Sequence, residues 1–326
     1  MPEASKLITG RIRRWIGPAM AALVLALVLT VAWRVIGEYR WDDIAAAMAA
    51  ISPQRIARAA AFAAASYFCL TWFDWIALRC VGKPLPWRRA ALASFTSLSI
   101  GHNVGFAGLS SGAVRYRFYA RWGLSFEEVA RLVIYCGITV ALGLATVGGL
   151  SLLFNPLLLA KATGVDAGFA QLAGLLLLAL PAAYLGFAFA GMALPIFRWR
   201  VQLPRPSMAL AQLAAGSANY LCVAACLHAL LNDRGVITYL DAAGAYVLAN
   251  TGVIASHVPG GVGVLESVVL SLLPGALVLA ALLMFRVVYY LGPLALGLAL
   301  LALSEVLLNT RKGWPSQAAK ASLQKS

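Results

Sequence analysis

Charged side chains are scarce in this sequence, and acidic ones are the scarcest. Aspartate, glutamate, lysine and arginine make up 12% of the 326 residues, whereas 62% of the residues are hydrophobic. A typical soluble domain is about one quarter charged. Together with a mean hydropathy of +0.83, this composition excludes a soluble globular protein and predicts an integral membrane protein.

Long polar stretches are also missing, since no polar segment reaches the roughly 50 residues of a small aqueous domain. The net charge of +14 is dispersed between apolar segments, which excludes a nucleic-acid-binding domain and is typical of cytoplasmic loops. Because basic and acidic loops alternate, we expect a cytoplasmic N-terminus. The basic stretches are 1–15, 79–89, 115–121 and 198–205, and the acidic ones are 38–43 and 232–241.

Motifs for metals, disulfides and nucleotides are lacking as well. The five cysteines lie in or at the ends of apolar runs, as buried small hydrophobic residues do. Cys222 and Cys226 lie close to His228, but no fourth metal ligand is evident. The nucleotide-binding pattern GxxxxGK[ST] does not occur. We therefore predict no metal, no cofactor and no ATP-driven step.

What the sequence does contain is a series of apolar segments. Residues 16–36 form a run of about 21 residues, which as a helix spans about 30 Å and is too long for a signal peptide. We predict about eight hydrophobic segments, at residues 16–36, 57–78, 127–154, 169–193, 207–231, 238–258, 276–291 and 293–308.

The first of two interruptions lies between Ser97 and Arg121. The apolar run before it, residues 90–100, is too short to span a bilayer, and unwound backbone at membrane depth must be buried in protein or line a wet cavity. We therefore expect a re-entrant pair of half-helices that returns to the cytoplasm. Its break residues are Gly101, Gly105 and Gly108, together with the polar His102 and Asn103, and arginines follow at Arg115, Arg117 and Arg121.

The second interruption follows about 155 residues later. It comprises His257, Pro259, Gly260, Gly261 and Gly263, and a short return helix carrying Glu266 comes after it. Two interrupted segments in the two halves of a membrane protein are typical of a transporter's binding site. The predicted fold is therefore an all-α polytopic membrane protein with two pseudo-repeated halves and two broken or re-entrant helix pairs.

Ionisable residues inside apolar segments are candidates for the site. Arg115 and Arg117 present planar guanidinium groups that suit a phosphate, and His102, Asn103 and His257 can contact headgroup oxygens. Glu266 and Arg286 are expected to form a structural or gating pair, with direct lipid contact as the alternative. Asp74 is either functional or paired with Arg79 or Arg88 at the interface.

The residues from Gly108 to Gly112 match the G-x-S-x-G nucleophile pattern. That pattern requires a strand-to-helix turn, and the context here is helical. An intramembrane hydrolase using Ser110 or Ser111 with His257 is therefore kept as an alternative function. An ion-coupled carrier of a water-soluble solute is the other alternative.

Residues 101–117, residues 257–266 and the Arg286-x-x-Tyr289-Tyr290 segment resemble the lysylphosphatidylglycerol synthase transmembrane (flippase-domain) family, which includes the bacterial multiple peptide resistance factors. The similarity extends over residues 16–308. It implies a lipid translocase that moves a phospholipid, in some members an aminoacylated one, between leaflets. We expect no enzymatic activity, because the aminoacyl-transfer domain of the synthases is not found in this sequence. The lipid is then an anionic or aminoacylated phospholipid, a hopanoid-like lipid or an envelope glycolipid.

The resulting expectation for the whole chain is one transmembrane domain over residues 1–309 and a basic, disordered cytoplasmic tail over residues 310–326. The protein is predicted to be a multi-pass protein of the cytoplasmic membrane. Its predicted partners are membrane lipids, and a homo-oligomer is left open.

Overall fold

The computed structural model describes residues 41–104, 107–196, 199–231, 236–256, 258–273 and 276–309. The predicted span 16–36, the side of the N-terminus and the predicted tail 310–326 lie outside the described residues, as do Gly105 and His257. The division into domain and tail therefore stays a prediction.

The described chain is almost entirely helical. Its helices are α1 (Trp41–Ala50), α2 (Pro53–Cys80), α3 (Trp87–Val104), α4 (Ala107–Arg121), α5 (Phe126–Phe154), α6 (Pro156–Thr163), α7 (Ala167–Phe189), α8 (Pro206–Leu231), α9 (Tyr239–Ser256), α10 (Val264–Leu272), α11 (Ala276–Phe285) and α12 (Gly292–Asn309). A π-helical turn, Arg286–Leu291, joins α11 to α12, and a 3-10 turn, Pro259–Gly261, precedes α10. Two short antiparallel strands, β1 (Ala193–Ile196) and β2 (Trp199–Gln202), connect α7 to α8.

Five helical segments of the described chain are long and apolar enough to cross a membrane: α2, α5, α7, α8 and the continuous stretch Leu277–Val306. The predicted all-α polytopic class is confirmed, whereas the count of eight segments is not reached in the part of the chain that the structure describes. Of these spans, α7 is the one least covered by the rest of the protein, since about a fifth of its most apolar window is buried.

The two predicted runs 276–291 and 293–308 form one span, so their separation at Gly292-Pro293 is wrong. Proline lacks the N–H that would bond to the carbonyl of Tyr289 four residues earlier. The π-helical turn accommodates this defect, and the Tyr67 hydroxyl donates to the Tyr289 carbonyl at 3.3 Å. The helix therefore continues through the proline without an unsatisfied carbonyl at this position.

The first predicted break is also placed differently. Helix α3 continues through Gly101, His102 and Asn103, and Gly108 lies in α4, so Gly101 and Gly108 are helical rather than unwound. A Cβ atom on Gly101 would lie 2.8 Å from the Cβ of Ser111. Gly101 therefore allows α3 and α4 to approach closely.

Helices α3 and α4 form a first hairpin, and α9 and α10 form a second. We define the basic face as the end of the bundle at which α2 and α12 end and α5 begins. The first hairpin opens at the basic face, where Lys83 before α3 pairs with Glu128 at the start of α5 at 3.2 Å. The second opens at the opposite face, where Asn155 at the end of α5 donates to Asp241 near the start of α9 at 2.7 Å.

The packing of α5 against α8 depends on a pair of glycines. A Cβ atom on Gly143 would overlap the carbonyl of Gly216, and one on Gly216 would overlap the carbonyl of Thr139. Both contacts are with backbone, which cannot rotate away as a flexible side chain does. The two helices therefore pass at backbone contact, as is common where small residues line membrane helix interfaces.

Replacing Gly216 with alanine is expected to destabilise the protein by about 2–3 kcal/mol, because the added methyl group forces the two backbones apart. Thermal unfolding of the detergent-solubilised protein measures this effect. The matched control is Gly137→Ala in α5, where an added Cβ meets no atom within 4 Å; there helix propensity predicts a gain of about 0.5–1 kcal/mol. Equal effects of the two substitutions would contradict the proposed contact.

Candidate functional site

The most deeply buried charges of the described chain are Asp74 of α2 and Arg115 of α4, whose side chains are 0% and 2% exposed. The Arg115 guanidinium donates to both carboxylate oxygens, from Nε to Oδ2 at 3.0 Å and from Nη2 to Oδ1 at 2.8 Å. Its Nη1 donates to the Ser111 hydroxyl at 2.8 Å. This is the two-pronged geometry that makes an arginine–carboxylate pair strong.

Two further groups complete the site of Asp74. The Tyr119 hydroxyl donates to Oδ2 at 2.7 Å, and the Cys136 thiol lies 3.6 Å from Oδ1. Of the two alternatives for Asp74, the pairing with Arg79 or Arg88 is thus wrong. Arg79 instead places its guanidinium carbon 3.2 Å from the ring centroid of Trp75. The sequence signal for Asp74 was an acid within a span, but its true partner lies 41 residues away.

Arg286 and Glu266 form the second buried ion pair, and their predicted pairing is confirmed. The Arg286 Nε donates to Oε1 at 2.5 Å and its Nη2 donates to Oε2 at 2.9 Å. The same guanidinium donates to the carbonyls of Gly260 at 2.6 Å and Gly261 at 3.0 Å. Arg286 therefore binds both the carboxylate and the unwound backbone of the second hairpin.

The turn of the second hairpin has the conformation that its glycines permit. Gly260, Gly261 and Gly263 have φ values of 62°, 60° and 80°, which side chains disfavour. Pro259 begins the 3-10 turn, and the Gly263 N–H donates to the Glu266 carboxylate at 2.9 Å. Glu266 thus caps the first turn of α10 while it neutralises Arg286.

The tips of the two hairpins meet inside the bundle. A Cβ atom on Gly260 would lie 3.3 Å from the backbone oxygen of Asn103. The Asn103 amide donates to the carbonyl of Tyr290 in the π-helical turn at 3.3 Å and to Ser99 at 2.8 Å. His102 is half-buried beside it, with Nδ1 3.5 Å from the Tyr67 hydroxyl. Helices of both halves therefore contribute to one polar region.

Arg117 and Arg121 occupy a different environment from Arg115. They lie one helical turn apart on α4 and both bind Glu305 of α12, through Arg117 Nε to Oε1 at 2.7 Å and Arg121 Nη2 to Oε2 at 2.8 Å. Their side chains are 27% and 31% exposed, and Glu305 is 22% exposed. This group lies at the basic face, and sequence reasoning missed Glu305 as the partner of these arginines.

The structure thus brings Asn103, Glu266, Arg286 and Gly260 together and separates Arg117 from them. Whether any of these residues contacts a lipid stays a prediction. His257 lies outside the described residues, so the serine–histidine alternative stays a prediction. The Ser111 hydroxyl accepts a hydrogen bond from Arg115. Among the described residues no cluster of three or more metal-binding side chains occurs.

In the buried polar region, positive charges are balanced by negative ones and hydrogen-bond donors are matched by acceptors. Each buried arginine of the two pairs meets one carboxylate, so the region carries no net charge from these four side chains. In the described part of the chain, the buried side-chain oxygens without a hydrogen-bond partner are Thr96 Oγ1 and Ser217 Oγ. Such a region can stabilise polar groups at membrane depth while the surrounding helix faces stay apolar.

Comparisons with known proteins place this chain in a family. Residues 19–297 match the family model described as the lysylphosphatidylglycerol synthase TM region. The uncharacterized protein slr0712 of Synechocystis is 32% identical over 282 residues, which cover 84% of this chain and 87% of that protein. The inner membrane protein YbhN of Escherichia coli is 29% identical over 284 residues, which cover 84% of this chain and 83% of that protein.

Proposed function

We propose, from the premise that this chain belongs to the lysylphosphatidylglycerol synthase transmembrane-region family, that it moves a phospholipid or related envelope lipid between the two leaflets of a membrane. The chain is a multi-pass membrane protein of this family. The proposal concerns transport rather than a chemical reaction, and it assigns no cofactor.

The observation that carries the proposal is the meeting of two hairpins that enter from opposite faces. The Asn103 backbone at the tip of the first hairpin contacts Gly260 at the tip of the second. Interrupted helices that meet near the midplane from opposite sides supply polar groups where a substrate must pass. In transporters such helices belong to inverted repeats, and alternating access moves one repeat against the other. Acyl tails stay in the lipid while the polar headgroup follows these groups.

The buried ion pairs support a division of roles within this mechanism. Arg115 is bound by Asp74 and Ser111, and Arg286 is bound by Glu266 and two carbonyls. Both pairs anchor one hairpin to a full span, Arg115 through α2 and Arg286 through the π-helical turn. Displacement of one hairpin relative to these anchors opens the polar region to one leaflet.

The charge distribution supports an orientation. The basic face carries the loop with Lys83, Arg88 and Arg89, and positively charged loops favour the cytoplasm. We therefore propose that the basic face and the end of α12 are cytoplasmic, and that the first hairpin enters from the cytoplasm. A lipid gradient, a proton gradient or a partner protein supplies the driving force.

Reconstitution into vesicles tests the proposed function. Fluorescent phosphatidylglycerol placed in the inner leaflet is expected to become accessible to an external quencher faster than in protein-free vesicles. Asn103→Leu, which removes the bond to Tyr290, is expected to slow this exchange. Ser110→Ala is the control and should exchange lipid at the wild-type rate.

Two outcomes contradict the proposal. Exchange at the protein-free rate for each fluorescent phospholipid tested would remove lipid translocation as the function. Loss of a hydrolytic activity in Ser110→Ala, with lipid exchange absent throughout, would favour the hydrolase alternative.

A further inference from the structure

The group formed by Arg117, Arg121 and Glu305 has more positive charge than it neutralises. Two guanidinium groups share one carboxylate, which leaves a net charge of +1. The buried pairs differ in this respect, because Arg115 and Arg286 each have a carboxylate of their own. An excess cation at the edge of a membrane protein attracts anionic headgroups.

The guanidinium groups of Arg117 and Arg121 also have N–H donors that Glu305 does not use. Arg117 uses Nε and Nη2 toward Glu305, and Arg121 uses Nη2. An arginine has five N–H donors in a planar fork, so within the described residues Arg117 Nη1 and the Nε and Nη1 of Arg121 have no hydrogen-bond partner. Both side chains are about 30% exposed, so a ligand at the surface reaches these donors.

A third arginine lies near the C-terminal end of α4. The Arg89 guanidinium lies 5.7 Å from the ring centroid of Trp122, the residue that follows Arg121. Arg89 is exposed at the start of α3. The surface around the end of α4 therefore combines arginine side chains from both helices of the first hairpin, which suits a phosphate better than a single lysine does.

We infer that Arg117 and Arg121 form a docking site for a singly charged phosphate diester headgroup, and that the phosphate takes the place of the Glu305 carboxylate. Carboxylate and phosphate oxygens accept the same two-pronged bonds from arginine. Glu305 belongs to α12, so its displacement removes the ion pairs that join the first hairpin to the last span. Headgroup binding and hairpin release are thereby coupled at one carboxylate.

This inference rests on the proposed function for the source of the phosphate, a lipid of the leaflet at the basic face. The same N–H groups can donate to the oxygens of a free phosphate ester. The experiment therefore measures binding to the full-length, detergent-solubilised protein and does not depend on translocation. The probes are dioctanoyl phosphatidylglycerol, dioctanoyl phosphatidylcholine and glycerol 3-phosphate, and the readout is the ligand-dependent shift of Tm.

Phosphatidylglycerol is expected to bind the wild-type protein more tightly than phosphatidylcholine. Arg117→Gln combined with Arg121→Gln should weaken its binding about tenfold or more. Glu305→Gln should strengthen it by about 3- to 10-fold, because the competing carboxylate is gone while both arginines remain. A purely structural role of Glu305 predicts the opposite sign or no change.

The matched control is Lys83→Gln combined with Arg131→Gln, which also removes two positive charges. Their side chains are 48% and 47% exposed, and each is paired with a glutamate of α5. This control should bind phosphatidylglycerol as the wild type does. Equal loss in the control and in the arginine variant would overturn the site in favour of a general charge effect.

Two further results would overturn parts of the inference. Weaker binding by Glu305→Gln would overturn displacement of the carboxylate. Binding of glycerol 3-phosphate as tight as that of phosphatidylglycerol would overturn the lipid as the source of the phosphate. Lipid exchange at the wild-type rate by the Arg117→Gln/Arg121→Gln variant would overturn the coupling of headgroup binding to hairpin release and leave the translocase proposal intact.

Discussion

Replacing Arg115 with glutamine is expected to destabilise the protein by about 3–5 kcal/mol. The substitution leaves the Asp74 carboxylate, which is 0% exposed, without its two-pronged partner. The hydroxyl of Tyr119 and the thiol of Cys136 stay beside the carboxylate, but neither carries a compensating positive charge. A charge left unpaired in a helix bundle costs far more than a lost surface contact.

A double-mutant cycle measures this coupling through thermal unfolding in detergent. Asp74→Asn alone leaves a buried guanidinium unpaired and is expected to be similarly destabilising. The double variant Asp74→Asn/Arg115→Gln buries neither charge, so its Tm should lie closer to the wild type than that of either single variant. Losses that simply add in the double variant would show that the two side chains are not coupled.

Replacing Arg286 with lysine is expected to destabilise the turn of the second hairpin by about 2–4 kcal/mol, even though the charge is kept. Arginine donates to the Glu266 carboxylate and to the carbonyls of Gly260 and Gly261 from three different nitrogens. A lysine ammonium is a single point of charge and cannot reach all three acceptors at once. Charged hydrogen bonds contribute about 1.5–3 kcal/mol each.

Hydrogen exchange locates this effect. The amides of residues 258–264 should exchange faster in Arg286→Lys, while those of α2 and α5 keep the wild-type rate. Arg79→Lys is the control, since the Arg79 guanidinium stacks on Trp75 at the end of α2 and should leave the turn unchanged. Uniform acceleration along the whole chain would contradict a local role of Arg286.

The four spans α2, α5, α7 and α8 and the second break were predictable because they depend on local sequence. Apolar length reports transfer into the bilayer, and a Pro-Gly-Gly-x-Gly run reports positive φ values, which the structure places at Gly260, Gly261 and Gly263. The pairing of Glu266 with Arg286 was predictable for a related reason. Two isolated opposite charges in neighbouring apolar segments are costly to bury unless they pair with each other.

The parts that could not be predicted depend on tertiary contacts. The local sequence around Gly101 is compatible both with an unwound helix and with a close contact between two helices. The position of the neighbouring helix, which places Ser111 against Gly101, determines which of the two occurs. Asp74 had basic residues nearby in sequence, yet it pairs with Arg115 of another helix. Pro293 reads as a helix end, but a hydroxyl from α2 satisfies the carbonyl that the proline leaves unbonded.

The π-helical turn Arg286–Leu291 fixes more than the passage through a proline. A π turn holds about one residue more than an α turn, and each residue of an α-helix turns the chain by about 100°. Shortening this turn by one residue would swing the whole C-terminal half-span around its axis by about that angle. Glu305 would then face away from Arg117, so an irregularity in the middle of a span sets the direction in which a charge at the basic face points.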